Sequence, residues 1–279
     1  MIYQSFDYVQ ADSLNSAVNL LANDPQAVVI AGGQELTRQL KLERVSPSKV
    51  VGLGSLVDLR KISRSDGEIG LGSMATLREI ATCTDLRAYE VLIQAAKATL
   101  DAQACNSTTI GGCLASGQPE SHLAAAILVL DATINVQGIK GIRRIPAGEF
   151  FLGVGKTALE QSEIITSVSF AEVQGASAYE CILHPVSSAP LCGVAANYFI
   201  SQDMASRGIR LALTGASESP TRLGAVESYF EKNASLERAF DDFDESKKWF
   251  SSRLASGEYR AHLAKTLTRR VVARLTSNT

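Results

Sequence analysis

The sequence predicts a mixed α+β protein of two domains, and three observations carry that prediction. At 279 residues the chain is long enough to bury two hydrophobic cores. Its first part alternates short, β-branched apolar runs with stretches of helical period, as in Ala27-Val28-Val29-Ile30-Ala31, which is followed at once by Gly32-Gly33 and a helix-like segment. Its last part changes pattern, first to strand-like runs bounded by Gly, Pro or Ser, then to a helix with one apolar face.

Taken in order, Ser13 stands as an N-cap before Leu14, Ala17, Val18 and Leu21, whose spacing predicts a helix over 14–23, closed by Pro25. The strand at 27–31 then leads through Gly32-Gly33 into a helix over 34–43. Strands are predicted at 50–53 and 69–71. Thr76 and Glu79 have the spacing of a capping box, so a helix begins there and runs to Thr82. Val91, Leu92, Ala95, Ala96 and Leu100 mark another helix, ending before Cys105-Asn106. A buried helix at 123–130 follows, then a strand at 133–136 that turns at 138–141, and a strand at 164–170. Composition shifts over 171–177, which divides the chain into domains 1–174 (subdomains of about 1–55 and 56–174) and 175–279. Beyond that point, runs at 178–183, 193–201 and 209–215 predict an antiparallel sheet. Leu263, Leu267, Val271 and Leu275 define one face of a terminal helix, with Lys265, Arg269, Arg270 and Arg274 in other directions as a solvated face.

Composition narrows the function. The formal charge of −2 and isoelectric point near 6.0 lack the basic excess that nucleic-acid binding needs. No run of about 18 apolar residues predicts a membrane span, and the first residues lack a secretory pattern, so a cytoplasmic protein is expected. The five cysteines are scattered without metal-ligand spacing and their odd number excludes a complete disulfide framework. His122, His184 and His262 likewise show no ligand spacing, and no catalytic nucleophile or base is expected on this chain.

The chemistry-bearing segments are the two diglycines, Gly32-Gly33 and Gly111-Gly112. Glycine lets backbone approach closely and accepts positive φ, so consecutive N–H groups can converge on an anion such as a pyrophosphate. Each diglycine has a second reading, a tight strand-to-helix turn that needs no ligand. Neither a Gly-x-Gly-x-x-Gly fingerprint nor a P-loop is present.

Ala31-Gly32-Gly33-Gln34-Glu35-Leu36 resembles the first flavin-binding loop, and Thr109-Ile110-Gly111-Gly112-Cys113-Leu114-Ala115 the second, of the FAD-binding medium subunits of molybdenum hydroxylases. The flavin subunits of carbon monoxide dehydrogenase and xanthine dehydrogenase belong to that family. The resemblance extends through Leu130-Asp131-Ala132, Ile145-Pro146-Ala147, Gly155-Lys156-Thr157, Pro220-Thr221-Arg222 and Tyr259-Arg260-Ala261-His262-Leu263, so it covers nearly the whole chain. It implies an FAD-binding domain of two subdomains, of the vanillyl-alcohol oxidase type, followed by a C-terminal domain with a small antiparallel sheet and helices. It further implies that main-chain groups of Ala31 to Leu36 and of Thr109 to Cys113 surround the FAD pyrophosphate, and that Ile165 lies against the flavin ring.

Two departures from the family pattern stand out. His122 occupies the place of an aspartate that meets the ribityl chain; it reads either as a replacement hydrogen-bonding group or as an ordinary histidine at a helix start. Cys181 and His184 occupy places where relatives carry basic side chains bordering the flavin ring, and loss of a cation there lowers the flavin potential unless another charge substitutes. Arg222 reads as a structural tie at a turn. The family implies an electron-transfer subunit working in a paired heterotrimer with a large molybdopterin-binding subunit and a small subunit carrying [2Fe–2S] clusters. The alternatives are a self-sufficient flavin reductase of the same superfamily and a scaffold that has lost FAD.

Overall fold

The protein is described here by a computed structural model covering residues 5–172, 175–186, 189–200, 207–231 and 249–276. Val173 and Gln174, within the predicted domain boundary, and Ser201, at the end of a predicted strand, lie outside the described residues.

The chain begins with a small unit, β1 (Asp7–Gln10), α1 (Leu14–Asn23), β2 (Ala27–Ile30), α2 (Gln34–Lys41) and β3 (Lys49–Gly52), whose three strands pair in parallel in the order β1-β3-β2. Ser13 caps α1 by accepting the Ser16 N–H at 3.1 Å, and Ala17, Val18 and Leu21 bury its apolar face in a core shared with Val51 and Leu53. The sequence pattern missed β1 because its residues are mostly exposed, so no apolar alternation marks it.

The second unit holds an antiparallel sheet of order β4-β5-β10-β6-β7, from β4 (Ile62–Ser65), β5 (Glu68–Gly72), β6 (Thr133–Gly138), β7 (Gly141–Pro146) and β10 (Ile164–Ala171). Between β5 and β6 come α3 (Leu77–Thr82), α4 (Glu90–Lys97), α5 (Ala102–Ser107), α6 (Ile110–Ala115) and α7 (His122–Val129). After β7 come the short α8 (Ala147–Phe150) and the hairpin of β8 (Phe151–Gly153) and β9 (Lys156–Thr157). The capping box of Thr76 and Glu79 is formed. The helix predicted to reach Leu100 instead stops at Lys97, and Cys105-Asn106 sit inside α5. The reason is Asp101, an unrecognised N-cap whose carboxylate accepts the N–H groups of Gln103 and Ala104 at 2.7 and 3.1 Å. All of Leu123 to Val129 in α7 is buried, so this helix forms the centre of the main core.

The last part forms a four-stranded antiparallel sheet, β11 (Gly175–Leu183), β12 (Pro190–Ile200), β13 (Arg207–Thr214) and β14 (Thr221–Arg222), with α9 (Gly224–Glu231) and α10 (Gly257–Thr276). Its register explains why the strands read as apolar runs. The rung Tyr179, Ala195, Ala212 packs into the core around α4 and α7, while the adjacent rung Ala178, Ala196, Leu211 packs on the other face with Leu263, Leu267, Val271 and Leu275 of α10. Both faces are buried. Among the described residues no helix is long and apolar enough to cross a membrane.

Candidate functional site

A cleft of about 880 Å³ opens where the small parallel sheet meets the second unit, at the carboxyl ends of β2 and β3. Twelve of the residues singled out in the sequence line it: Ala31, Gly32, Gly33, Gln34, Glu35, Leu36, Thr109, Gly111, Gly112, Cys113, His122 and Ile165. Ile110 does not, because its side chain is fully buried in the main core. The two diglycine segments, 79 positions apart at Gly32 and Gly111, thus face one cavity.

The first segment is built for an anion. Gly33 takes a left-handed conformation (φ 77°) as N-cap of α2, which has no side-chain cap. The first helical bond is Thr37 N–H to Gly33 O at 2.9 Å, and among the described residues the N–H groups of Gly33, Gln34, Glu35 and Leu36 have no protein acceptor. These N–H groups and the positive end of the helix dipole border the cleft. Glu35 would oppose an anion there, but Arg38 grips it through two bonds of 2.7 and 3.0 Å and Gln39 adds one of 2.8 Å. Burial pushes the Glu35 carboxyl up, and these hydrogen bonds outweigh it and hold it below its ordinary range.

The second segment differs from expectation. Gly111-Gly112 lie inside the short helix α6, capped by Thr109, rather than in an open turn. The N–H groups of Ile110, Gly111, Gly112 and Cys113 are taken by Ala75 O, Ser73 O, Thr109 Oγ1 and Thr109 O at 2.8–3.1 Å. This segment therefore offers the cleft shape and side chains more than free N–H donors. Burial raises the Cys113 thiol to about 12, so it faces the cleft uncharged.

His122 opens α7, and its Nδ1 lies 2.7 Å from the Tyr179 hydroxyl of β11, the rings meeting edge to face. Nε2 has no protein partner among the described residues. Burial depresses the ring from 6.5 to about 4, so His122 is neutral at pH 7. Below pH 6.5 the unfolded chain takes up a proton that the folded ring refuses until about pH 4. Stability should therefore fall through that window and be flat above it. Melting temperatures of the flavin-free chain from pH 8 to 4 should show this slope, and His122→Gln should lose it; identical slopes for both would refute the assignment. Cys181 and His184 are not among the described residues lining the cleft.

Residues 4–171 match the family described as the FAD binding domain in molybdopterin dehydrogenase. The chain belongs to that family. The carbon monoxide dehydrogenase medium chain of Hydrogenophaga pseudoflava is 31% identical over 228 residues, covering 80% of this chain and 78% of that one. The xanthine dehydrogenase FAD-binding subunit of Escherichia coli O157:H7 is 28% identical, covering 95% and 94%. A solved structure of the Hydrogenophaga pseudoflava carbon monoxide dehydrogenase superposes with a TM-score of 0.92 at 25% identity, covering 99% of each chain. Both relatives are subunits of dehydrogenases, that is, components of oxidoreductase complexes.

The cleft fits FAD on its own chemistry. Ser73 is 3% exposed and its Oγ has no hydrogen-bond partner among the described residues, and the same holds for the buried Oγ of Ser121; both residues line the cleft. A buried hydroxyl without a partner is costly unless something polar meets it. Together with the open N–H groups of α2, these oxygens suit a ligand that carries a pyrophosphate and a polyhydroxy chain. The sequence singled out neither serine, since nothing distinguishes a serine that packing will isolate from one in solvent. Among the described residues no cluster of His, Cys, Asp or Glu could hold a metal.

Proposed function

We propose that this chain is the FAD-binding electron-transfer subunit of a heteromeric molybdenum hydroxylase or dehydrogenase. It takes electrons from [2Fe–2S] clusters of a small subunit, while a large molybdopterin-binding subunit acts on the substrate, in a paired heterotrimer. The observation that carries this reading is the cleft's pairing of an uncapped helix N-terminus with buried hydroxyls, in a chain of the FAD-binding family. Five free cysteines suit a cytoplasmic setting.

The residues divide the work of holding FAD. Main-chain groups of Gly33, Gln34, Glu35 and Leu36 would meet the pyrophosphate, with the Ala31-Gly32 turn allowing close approach. Thr109, Gly111, Gly112 and Cys113 would form the facing wall, and Ile165 on β10 an apolar surface for the ring. His122, neutral and oriented by Tyr179, would present Nε2 as a hydrogen-bonding group without adding charge. FAD, when bound, supplies chemistry that accepts electrons singly from a cluster and releases them in pairs.

The test is the visible spectrum of the purified full chain, with identification of any flavin released on denaturation and a titration of the stripped chain with FAD. Flavin bands and FAD release are expected; a colourless chain that also fails to take up FAD would leave the scaffold reading. Ser73→Ala supplies a check on the site itself. Removing an unpartnered hydroxyl should leave the flavin-free chain as stable as before or slightly more so, while weakening FAD roughly fivefold, the value of about one hydrogen bond.

A further inference from the structure

The loop between α6 and α7 supplies Gln118, Glu120 and Ser121 to the cleft and leads into His122 at the start of α7, yet it has no regular structure of its own. What holds it comes from the four-stranded sheet. Thr214, at the end of β13 and wholly buried, donates its hydroxyl to Pro119 O at 2.6 Å and lies 3.0 Å from Ser121 O. The next residue adds a second anchor, Gly215 N–H to Pro119 O at 2.7 Å. Gly215 has φ 75°, and its carbonyl is held in turn by the buried guanidinium of Arg260, which also donates to Leu191 O at 2.7 Å and Ser252 Oγ at 2.8 Å. The loop's other end is tied by Gly155 N–H to Gly117 O at 2.9 Å, leaving the 119–121 stretch to the sheet.

We infer that Thr214 is a positioning residue for the flavin cleft: from the four-stranded sheet, its hydroxyl sets the loop that carries Ser121 and leads into His122, and so tunes FAD affinity without touching the cofactor. A loop fixed by hydrogen bonds needs less ordering when ligand arrives, so removing the anchor shifts that ordering into the binding step. Valine has threonine's shape without the donor. With Thr214→Val, Pro119 O loses this donor and keeps only the Gly215 N–H, and the polar atom beside Ser121 O is gone. The inference rests on the reading that the cleft takes FAD.

The experiment is a fluorescence titration of the flavin-free full chain with FAD, for wild type, Thr214→Val and Thr214→Ser, with melting temperatures measured with and without FAD. Thr214→Val should raise the FAD Kd about tenfold, the loss of roughly one well-placed hydrogen bond. It should also narrow the gap between the two melting temperatures, and Thr214→Ser, which keeps the hydroxyl, should restore both. A wild-type Kd in Thr214→Val overturns the inference, as does an equal fall of both melting temperatures, the signature of a merely structural residue. If Thr214→Val does not fold, hydrogen exchange of the Gly215 amide in wild type decides: slowing on FAD addition supports the coupling, and an unchanged rate overturns it. Wild type that takes up no FAD refutes the proposed function itself, which separates that failure from the failure of the positioning role.

Discussion

Gly32→Ala is expected to abolish measurable FAD binding at micromolar concentrations and to lower the melting temperature, whereas Gly33→Ala should do far less. A Cβ on Gly32 would stand 1.6 Å from the carbonyl oxygen and 2.6 Å from the carbonyl carbon of Ser107. Both are backbone atoms, and that backbone is itself pinned. Thr108 N–H donates to Ala104 O at 2.7 Å, Leu77 N–H to Thr108 O at 3.0 Å, and Gln34 Nε2 to Ser107 Oγ at 2.8 Å. Relief requires the 31–34 and 107–108 segments to part by roughly 1.4 Å, an overpacking that costs about 1–3 kcal/mol or more. Those segments lead into the two walls of the cleft, so the displacement misaligns both, and a hundredfold loss of affinity, about 2.7 kcal/mol, is the expected scale. At Gly33 the nearest neighbour of a Cβ would be 3.4 Å away, and only the left-handed backbone opposes a side chain, at about 1–2 kcal/mol. Flavin titration and thermal melts of both variants test the ordering; equal effects would mean that the close crossing at Ser107 does not control the cleft.

That contrast shows what in the site was legible. The diglycines were visible as places where backbone must come close or turn, but not what each glycine meets. Gly32 is required by a helix end 75 positions away, and Gly111 by Ser73, whose Cβ and carbonyl oxygen lie within 2.8 Å of where its own Cβ would be. Local pattern carries no record of such crossings. The same limit hid α6, because two adjacent glycines argue against a helix, and only the Thr109 cap and the packing of Ile110 and Leu114 override that propensity. Periodic, half-buried segments were the easy part: α1 spans the predicted 14–23, and the Thr76 and Glu79 capping box forms as spaced. Ser73 and Ser121 were out of reach, since an orphaned hydroxyl is a property of assembled elements.

Arg222→Ala should be the most destabilising single change outside the cleft, lowering the melting temperature by about 10 °C, from a loss of about 3–5 kcal/mol. The structural role read from the sequence takes a specific form. Arg222 Nε and Nη2 fork onto the nearly buried Glu227 at 2.7 and 2.8 Å, while Nη1 reaches Asp131 at 2.6 Å and Leu128 O, near the end of α7, at 3.3 Å. Glu227 also accepts the Leu211 N–H at 2.7 Å, so the guanidinium joins β13, β14 and α9 to the C-terminal end of the central helix. Alanine would leave Glu227 as an enclosed carboxylate without its cation, and that stranded charge, more than the lost bonds, sets the size of the effect. The double variant Arg222→Leu with Glu227→Gln removes the charge, keeps an acceptor for Leu211 and restores apolar bulk. It should recover more than half of the lost stability. Denaturant melts of Arg222→Leu, Glu227→Gln and the double variant give the coupling directly. If the double variant is no more stable than Arg222→Ala, the loss comes from the severed link to Asp131 and α7, and the stranded-charge account is wrong.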